Sequence, residues 1–130
     1  CHDNEIGVIP HSVLAKGLLG GRYKPGDTFP ADDERRLFNF FRGKLFEQIY
    51  SVTTKLDEWA RDRGRDIVQL AVAWVIAHPA VTSAIVGMKN PQQVAQVSLA
   101  AEWKLSTLEL EEIEGIIGDL QPRWKKDAFI

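Results

Sequence analysis

The sequence is poor in cysteine: Cys1 is the only one in 130 residues. No internal disulfide can form, and a reducing compartment, the cytoplasm, is the expected setting. Excess charge is also lacking. Sixteen Lys and Arg stand against eighteen Asp and Glu, a net charge of −2 with a pI of about 5.9. That balance argues against nucleic acid or an acidic membrane surface as partner, and no basic recognition helix is present. Long apolar runs are missing too. The longest, Leu70 to Ala77, is far too short to span a bilayer, and no signal peptide is visible. No repeat or low-complexity segment occurs.

What is there is ordinary for a globular protein: 45% hydrophobic and 26% charged residues. The length suffices for one domain with a core, and residues 1–130 read as one domain without an internal boundary. Gly7–His11 is a short apolar run with strand character. The glycine-rich Ala15–Gly21 follows. Residues 22–44, with Pro25, Gly26, Pro30, Asp32, Asp33, Arg35 and Arg36, read as a long irregular loop.

Regular helix is predicted from near Leu45. Leu45, Ile49, Val52, Leu56 and Trp59 recur every three or four residues and mark one apolar face, which Gly64 ends. A second helix runs from about Asp66 to Ala77. It is apolar nearly all round, which predicts packing on several sides, and Pro79 stops it. Val81–Val86 reads as a strand buried in a parallel sheet. Asn90 and Pro91 suit the N-cap and first position of a third helix, about Pro91–Ala101. A fourth begins at Ser106, where Ser106 and Glu109 form a capping box, with Leu110, Ile113, Ile117 and Leu120 as its buried stripe. Two parallel strands leave sheet edges exposed and cannot close a barrel. The α/β order of elements therefore predicts part of a larger fold.

The turn from Thr82 to Gln96 carries the clearest chemical signal. A strand, a glycine turn and a capped helix start bring N–H groups, a helix dipole and Lys89 together, an arrangement suited to phosphate. Tyr23 and Tyr50 read as structural, His78 as a helix-end cation, His2 as solvated, Trp59 and Trp74 as core, and Arg123, Lys125 and Lys126 as a solvated basic tail. Arg35 and Arg36, beside Asp32, Asp33 and Glu34, could equally form a solvated charge cluster.

Four segments resemble the aldo-keto reductases. Ile9-Pro-His-Ser-Val-Leu-Ala-Lys-Gly-Leu-Leu-Gly-Gly-Arg-Tyr23 is similar to the family's YSPLAxGLLTGKY. Gln69–Pro79 is similar to QLALAWVLAHP. Ser83–Val94 and its surroundings resemble the AIxGxxxPEQLEEN junction, and Trp103–Glu109 resembles the entry to the last helix. The resemblance implies the C-terminal portion of a (β/α)8 TIM barrel from strand seven to the end, mostly helical with two short parallel strands. It also implies an NADP(H)-dependent oxidoreductase that reduces aldehydes or ketones. The partners implied are a small carbonyl substrate and the N-terminal part of the same barrel. A non-catalytic nucleotide-binding subunit of the channel β type is the alternative.

By position, the resemblance assigns His11 to the residue stacking on nicotinamide. It assigns Ser12, Leu14, Ala15 and Lys16 to the pyrophosphate and ribose, and Arg22 to the phosphates. Arg35 or Arg36 would approach the adenosine end, Gly87 and Lys89 the adenosine phosphate, and Gln93 and Gln96 the adenine and its ribose. His11 stands where Tyr or Trp is frequent, Val13 replaces Pro, Gln96 replaces Glu, and Val97 replaces Asn, whose adenine contact it cannot make. The family's catalytic Asp, Tyr, Lys and His belong to earlier strands. No catalytic residue and no metal ligand is assigned here.

Overall fold

A computed structural model describes residues 1–118. Leu120, Arg123, Lys125 and Lys126 lie outside the described residues. Four α-helices follow short 3-10 turns: α1 (Gly43–Arg61), α2 (Ile67–Ile76), α3 (Pro91–Ala100) and α4 (Thr107–Gly118). The 3-10 turns are His2–Asn4, Ala15–Gly20, Glu34–Leu37 and Asn39–Phe41. No helix among the described residues is long and apolar enough to cross a membrane.

Helix α2 begins where the sequence says it should. Asp66 accepts from the Gln69 N–H at 2.9 Å, and the Gln69 carboxamide oxygen accepts from the Asp66 N–H at 3.3 Å, closing a capping box. Every residue from Ile67 to Ala73 is buried. Packing on several sides is realised: α1, α3 and the 15–20 turn all rest on this helix. Helix α1 stops in a Schellman geometry. Arg65 N–H donates to the Ala60 carbonyl and Gly64 N–H to the Arg61 carbonyl, and Gly64 takes φ +68°. The deepest residues of α1 are Phe46, Val52, Leu56 and Ala60, while Leu45, Ile49 and Trp59 of the predicted stripe are half-buried.

The two predicted strands are not formed as strands among the described residues; one parallel bridge pairs Val8 with Val81. Val8 N–H donates to the Ala80 carbonyl at 3.0 Å, and Thr82 N–H to the Val8 carbonyl at 2.9 Å. The ladder then fails. Pro10 has no N–H to continue it, and the Pro10 carbonyl receives Ile85 N–H at 2.9 Å instead of that of Ala84. One extra residue is accommodated there, and the register slips as at a bulge. Gly7 suits the close approach: a Cβ there would stand 2.5 Å from Thr82 Oγ1, and the Thr82 side chain would have to shift.

Residues 22–44 are a loop in outline but not in packing. Tyr23, Phe29, Phe41 and Phe46 meet edge to face at centroid distances of 5.1–5.7 Å, with Leu18 buried among them. Helix α4 closes the opposite side. Its Ser106–Glu109 capping box is present, and those bonds from Ser106 hold the Glu109 carboxyl below the usual range. Glu112 binds α4 to α1 by accepting from Trp59 Nε1 at 2.8 Å and from Arg63 Nη2 at 2.7 Å. Trp59 stacks on Trp103 at 5.9 Å. Trp74, by contrast with its predicted core role, is 38% exposed.

Ile113 is 1% exposed and packs with Val52, Leu56, Ile67 and Leu70. Ile113→Ala should therefore cost about 2–5 kcal/mol. Truncating Leu108, 71% exposed, should cost almost nothing. Urea titrations of the two variants check this; equal midpoints would contradict the assigned core.

Candidate functional site

A half-open cleft of about 600 Å³ forms where the 11–17 turn, the 85–89 segment, α3 and the 22–35 loop meet. It gathers His11, Ser12, Leu14, Lys16, Arg22, Arg35, Gly87, Lys89, Gln93 and Gln96. Of the residues assigned by resemblance, Ala15 and the alternative Arg36 are left out; Ala15 lines a second, almost wholly apolar cavity of about 420 Å³ between the 15–20 turn and α1, α2 and α4. Val13, Tyr23, Glu34, Val68, Met88 and Val97 are among the other residues of the polar cleft's walls.

The 11–17 turn is bent hard. Ser12, Ala15 and Lys16 have φ of 57°, 46° and 58°, in the left-handed region. Each such non-glycine residue costs on the order of 1–2 kcal/mol, and three in five positions mark a turn held by its surroundings. Ala15 N–H donates to the Ser12 carbonyl at 2.7 Å, and Gly17 N–H to the Leu14 carbonyl at 2.8 Å. His11 Nδ1 and Ser12 Oγ are hydrogen-bonded at 2.9 Å.

Opposite this turn, α3 presents its N-terminus. Asn90 Oδ1 accepts from Gln93 N–H at 2.9 Å, and Gln93 Oε1 accepts from Lys89 N–H at 2.7 Å. The predicted cap is there, but it consumes two N–H groups that the sequence leaves free for an anion. What the turn still offers is the dipole and the Lys89 ammonium, which has no partner among the described residues. Gln96 Nε2 donates to Asp66 Oδ2 at 2.8 Å.

The loop side carries the paired charges. Lys16 meets Glu34 at 3.1 Å. Arg35 donates through Nε to Asp33 Oδ1 at 2.8 Å, through Nη2 to Asp33 Oδ2, and through Nη1 to the Tyr23 hydroxyl. Its guanidinium also lies 4.8 Å from the Tyr23 ring centroid. Arg35 thus belongs to the loop's internal scaffold as well as to the cleft wall. Arg36 is separate: exposed, it donates to the Ala31 carbonyl at 2.9 Å. The Arg35 hydrogen bonds hold the Asp33 carboxyl below its usual range, and Asp33 raises the guanidinium further.

Other sequence readings resolve here. Tyr23 packs in the aromatic cluster and receives Arg35. His78 does not cap the carbonyls of α2 with a side-chain bond; its Nδ1 accepts the Ala80 N–H at 3.1 Å in the turn that follows the helix. The sequence reading missed the aromatic support of the loop and the role of Asp66. The signal for the first was the density of Phe between Phe29 and Phe46.

The chain matches the model of the Aldo/keto reductase family over residues 1–117. It is 30% identical over 116 residues to the aldo-keto reductase YhdN of Bacillus subtilis, covering 88% of this chain and 35% of that protein. It is 29% identical over 113 residues to the aldo-keto reductase yakc [NADP(+)] of Schizosaccharomyces pombe, 87% of this chain and 33% of the relative. A probable voltage-gated potassium channel subunit beta of Arabidopsis thaliana is 30% identical over 117 residues, 86% of this chain and 35% of the relative. The solved glycerol dehydrogenase of Gluconobacter oxydans superposes with a TM-score of 0.83 at 28% identity, over 95% of this chain and 38% of that one. The chain therefore spans about a third of the length of these proteins. Its mostly helical fold with one parallel bridge is consistent with part of a (β/α)8 barrel.

Asp33 binds its proton less readily folded than unfolded, so its pairing contributes order above the ordinary Asp value of ~3.9. That contribution is lost as pH falls through the lower folded value. Near-UV circular dichroism of the Tyr23–Phe cluster should therefore diminish on acidification below about pH 4. Asp33→Asn should show the weakened signal already at neutral pH and little change across that range. Parallel curves for the two proteins would contradict the assigned pair.

Proposed function

The chain belongs to the aldo/keto reductase family, and on that premise we propose that it is the cofactor-binding C-terminal part, from strand seven onward, of an NADP(H)-dependent oxidoreductase acting on aldehydes or ketones. The observation that carries the reading is the charge of the cleft. A chain of net charge −2 lines this one cleft with Lys16, Arg22, Arg35 and Lys89, of which Lys16 and Arg35 are paired with Glu34 and Asp33. The fit of the residues to a dinucleotide phosphate supports it further: cations for phosphates, carboxamides for ribose and base, and apolar walls for the rings.

In this reading Lys89, exposed at the head of α3, takes the 2′-phosphate through a charge-assisted contact. Arg22 and Lys16 face the pyrophosphate, and Ser12 and Leu14 set the distance of the backbone from it. His11 supplies a flat ring for the nicotinamide, tethered by its bond to Ser12. Gly87 lets the chain pass close to the adenosine side, where Gln93 and Gln96 lie. The cofactor, when bound, supplies the hydride for the carbonyl carbon. The proton donor and its partners come from the N-terminal part of the same barrel, and none of the residues 1–130 is assigned to that task. A second reading, a nucleotide-binding channel subunit without turnover, rests on the similarity to the Arabidopsis channel subunit beta.

Lys89→Ala should weaken NADPH by the loss of one charged hydrogen bond, about 1.5–3 kcal/mol, and leave NADH nearly unchanged. Fluorescence titration with both dinucleotides checks it, and equal losses would contradict the 2′-phosphate assignment. Turnover of 4-nitrobenzaldehyde by the protein expressed at the full length its gene specifies separates the two readings. A reductase oxidises NADPH with it, whereas a channel-type subunit binds NADPH without consuming it.

A further inference from the structure

Gln96 is a cleft side chain whose orientation is dictated from outside the cleft, by Asp66. A carboxylate only accepts hydrogen bonds. The Gln96 atom 2.8 Å from Asp66 Oδ2 must therefore be the amide nitrogen. Asp66 cannot turn away, because its other oxygen caps α2 at 2.9 Å from Gln69 N–H. The Gln69 amide nitrogen in turn donates to the Gln96 backbone carbonyl at 3.4 Å, tying α3 to the same cap. The Gln96 Oε1 is left without a partner among the described residues, on a side chain that lines the cleft together with Val68 and Val97. Apolar walls with one fixed acceptor suit a flat heterocycle that offers a donor at its edge.

Resting on the dinucleotide reading of the cleft, we propose that Asp66 is a positioning residue for base selectivity. By holding the Gln96 carboxamide with its oxygen toward the ligand, it favours a 6-amino purine over a 6-oxo purine. A 6-oxo group would set one carbonyl oxygen against another, and the ring N1–H, the donor that such a base does carry, lies one position away from the exocyclic group.

The geometry makes Asp66→Asn a sharp test. Asn caps helices as well as Asp, and its Oδ1 must stay on the Gln69 N–H, since the opposite orientation would set donor against donor. Its Nδ2 then faces Gln96 and requires the Gln96 oxygen. The carboxamide turns over and presents its NH2 to the cleft.

The measurement is the ratio of dissociation constants for NADPH and its hypoxanthine analogue, by fluorescence titration of the protein at the full length its gene specifies. The wild type is expected to prefer NADPH by roughly tenfold. Asp66→Asn should lower that ratio at least tenfold, to parity or below, and Gln96→Met, with Asp66 intact, should bring it near one. General loosening of the fold would weaken both ligands alike and leave the ratio where it was. A wild-type ratio near one, or an unchanged ratio in Asp66→Asn, overturns this inference while leaving the dinucleotide reading in place. Binding of neither dinucleotide by the wild type overturns both.

Discussion

Burial of the first two turns of α2 is the constraint on which the other elements depend. No residue of Ile67–Ala73 is more than 8% exposed. A helix stretch that is apolar except for Gln69, whose side chain is itself hydrogen-bonded, must be covered on every side. Helix α1 covers it from one direction, α3 from another and the 15–20 turn from a third. Each buried Leu, Ile or Val contributes about 1.5–3 kcal/mol, so displacing any of the three covers would expose several such residues at once. The strain in the Ser12–Lys16 backbone is set against that burial: the turn is left-handed at three residues because its neighbours Val13 and Leu14 pack against the α2 side of the core.

The cleft follows from the same arrangement. Where α2 begins, its capping groups need partners, and Asp66 supplies them on two fronts. One oxygen closes the cap and the other reaches Gln96 of α3. Asp57 of α1 accepts from Ile67 N–H at 3.2 Å and completes the junction. Three helices are thus joined by hydrogen bonds at the end of α2 that faces the cleft residues of α3. Rigid elements position polar groups more sharply than loops do, and the 15–20 turn and the α3 N-terminus inherit that rigidity.

Legibility in the sequence followed the range of the interactions. The helices were readable because periodicity and caps are local: Asp66 with Gln69, Asn90 with Gln93, and Ser106 with Glu109 each act within four residues. The strands were not, because their formation needs neighbours and a donor at every second residue, and Pro10 withholds one. The order within residues 22–44 was also hidden. It arises from Tyr23, Phe29, Phe41 and Phe46 meeting across intervals with no period. The candidate site was gathered nearly whole by family resemblance, but its internal pairings were not. Nothing in the spacing of Tyr23, Asp33 and Arg35 announces that the guanidinium bridges the other two.

Those pairings decide how the cleft's cations differ. Exposed ion pairs are worth about 0–1 kcal/mol. The single Lys16–Glu34 contact, with side chains 34% and 62% exposed, is of that kind. An arriving phosphate can replace Glu34 at Lys16 with little loss. Arg35 is held otherwise: three of its nitrogens already donate, two of them to Asp33, and its side chain and that of Asp33 are 28% and 13% exposed. Drawing it toward a ligand would break the support of the whole 22–44 segment. Lys89 has no partner among the described residues to give up. One cleft therefore holds a cation that meets an anion at once, a cation that exchanges partners, and a cation that keeps the wall standing.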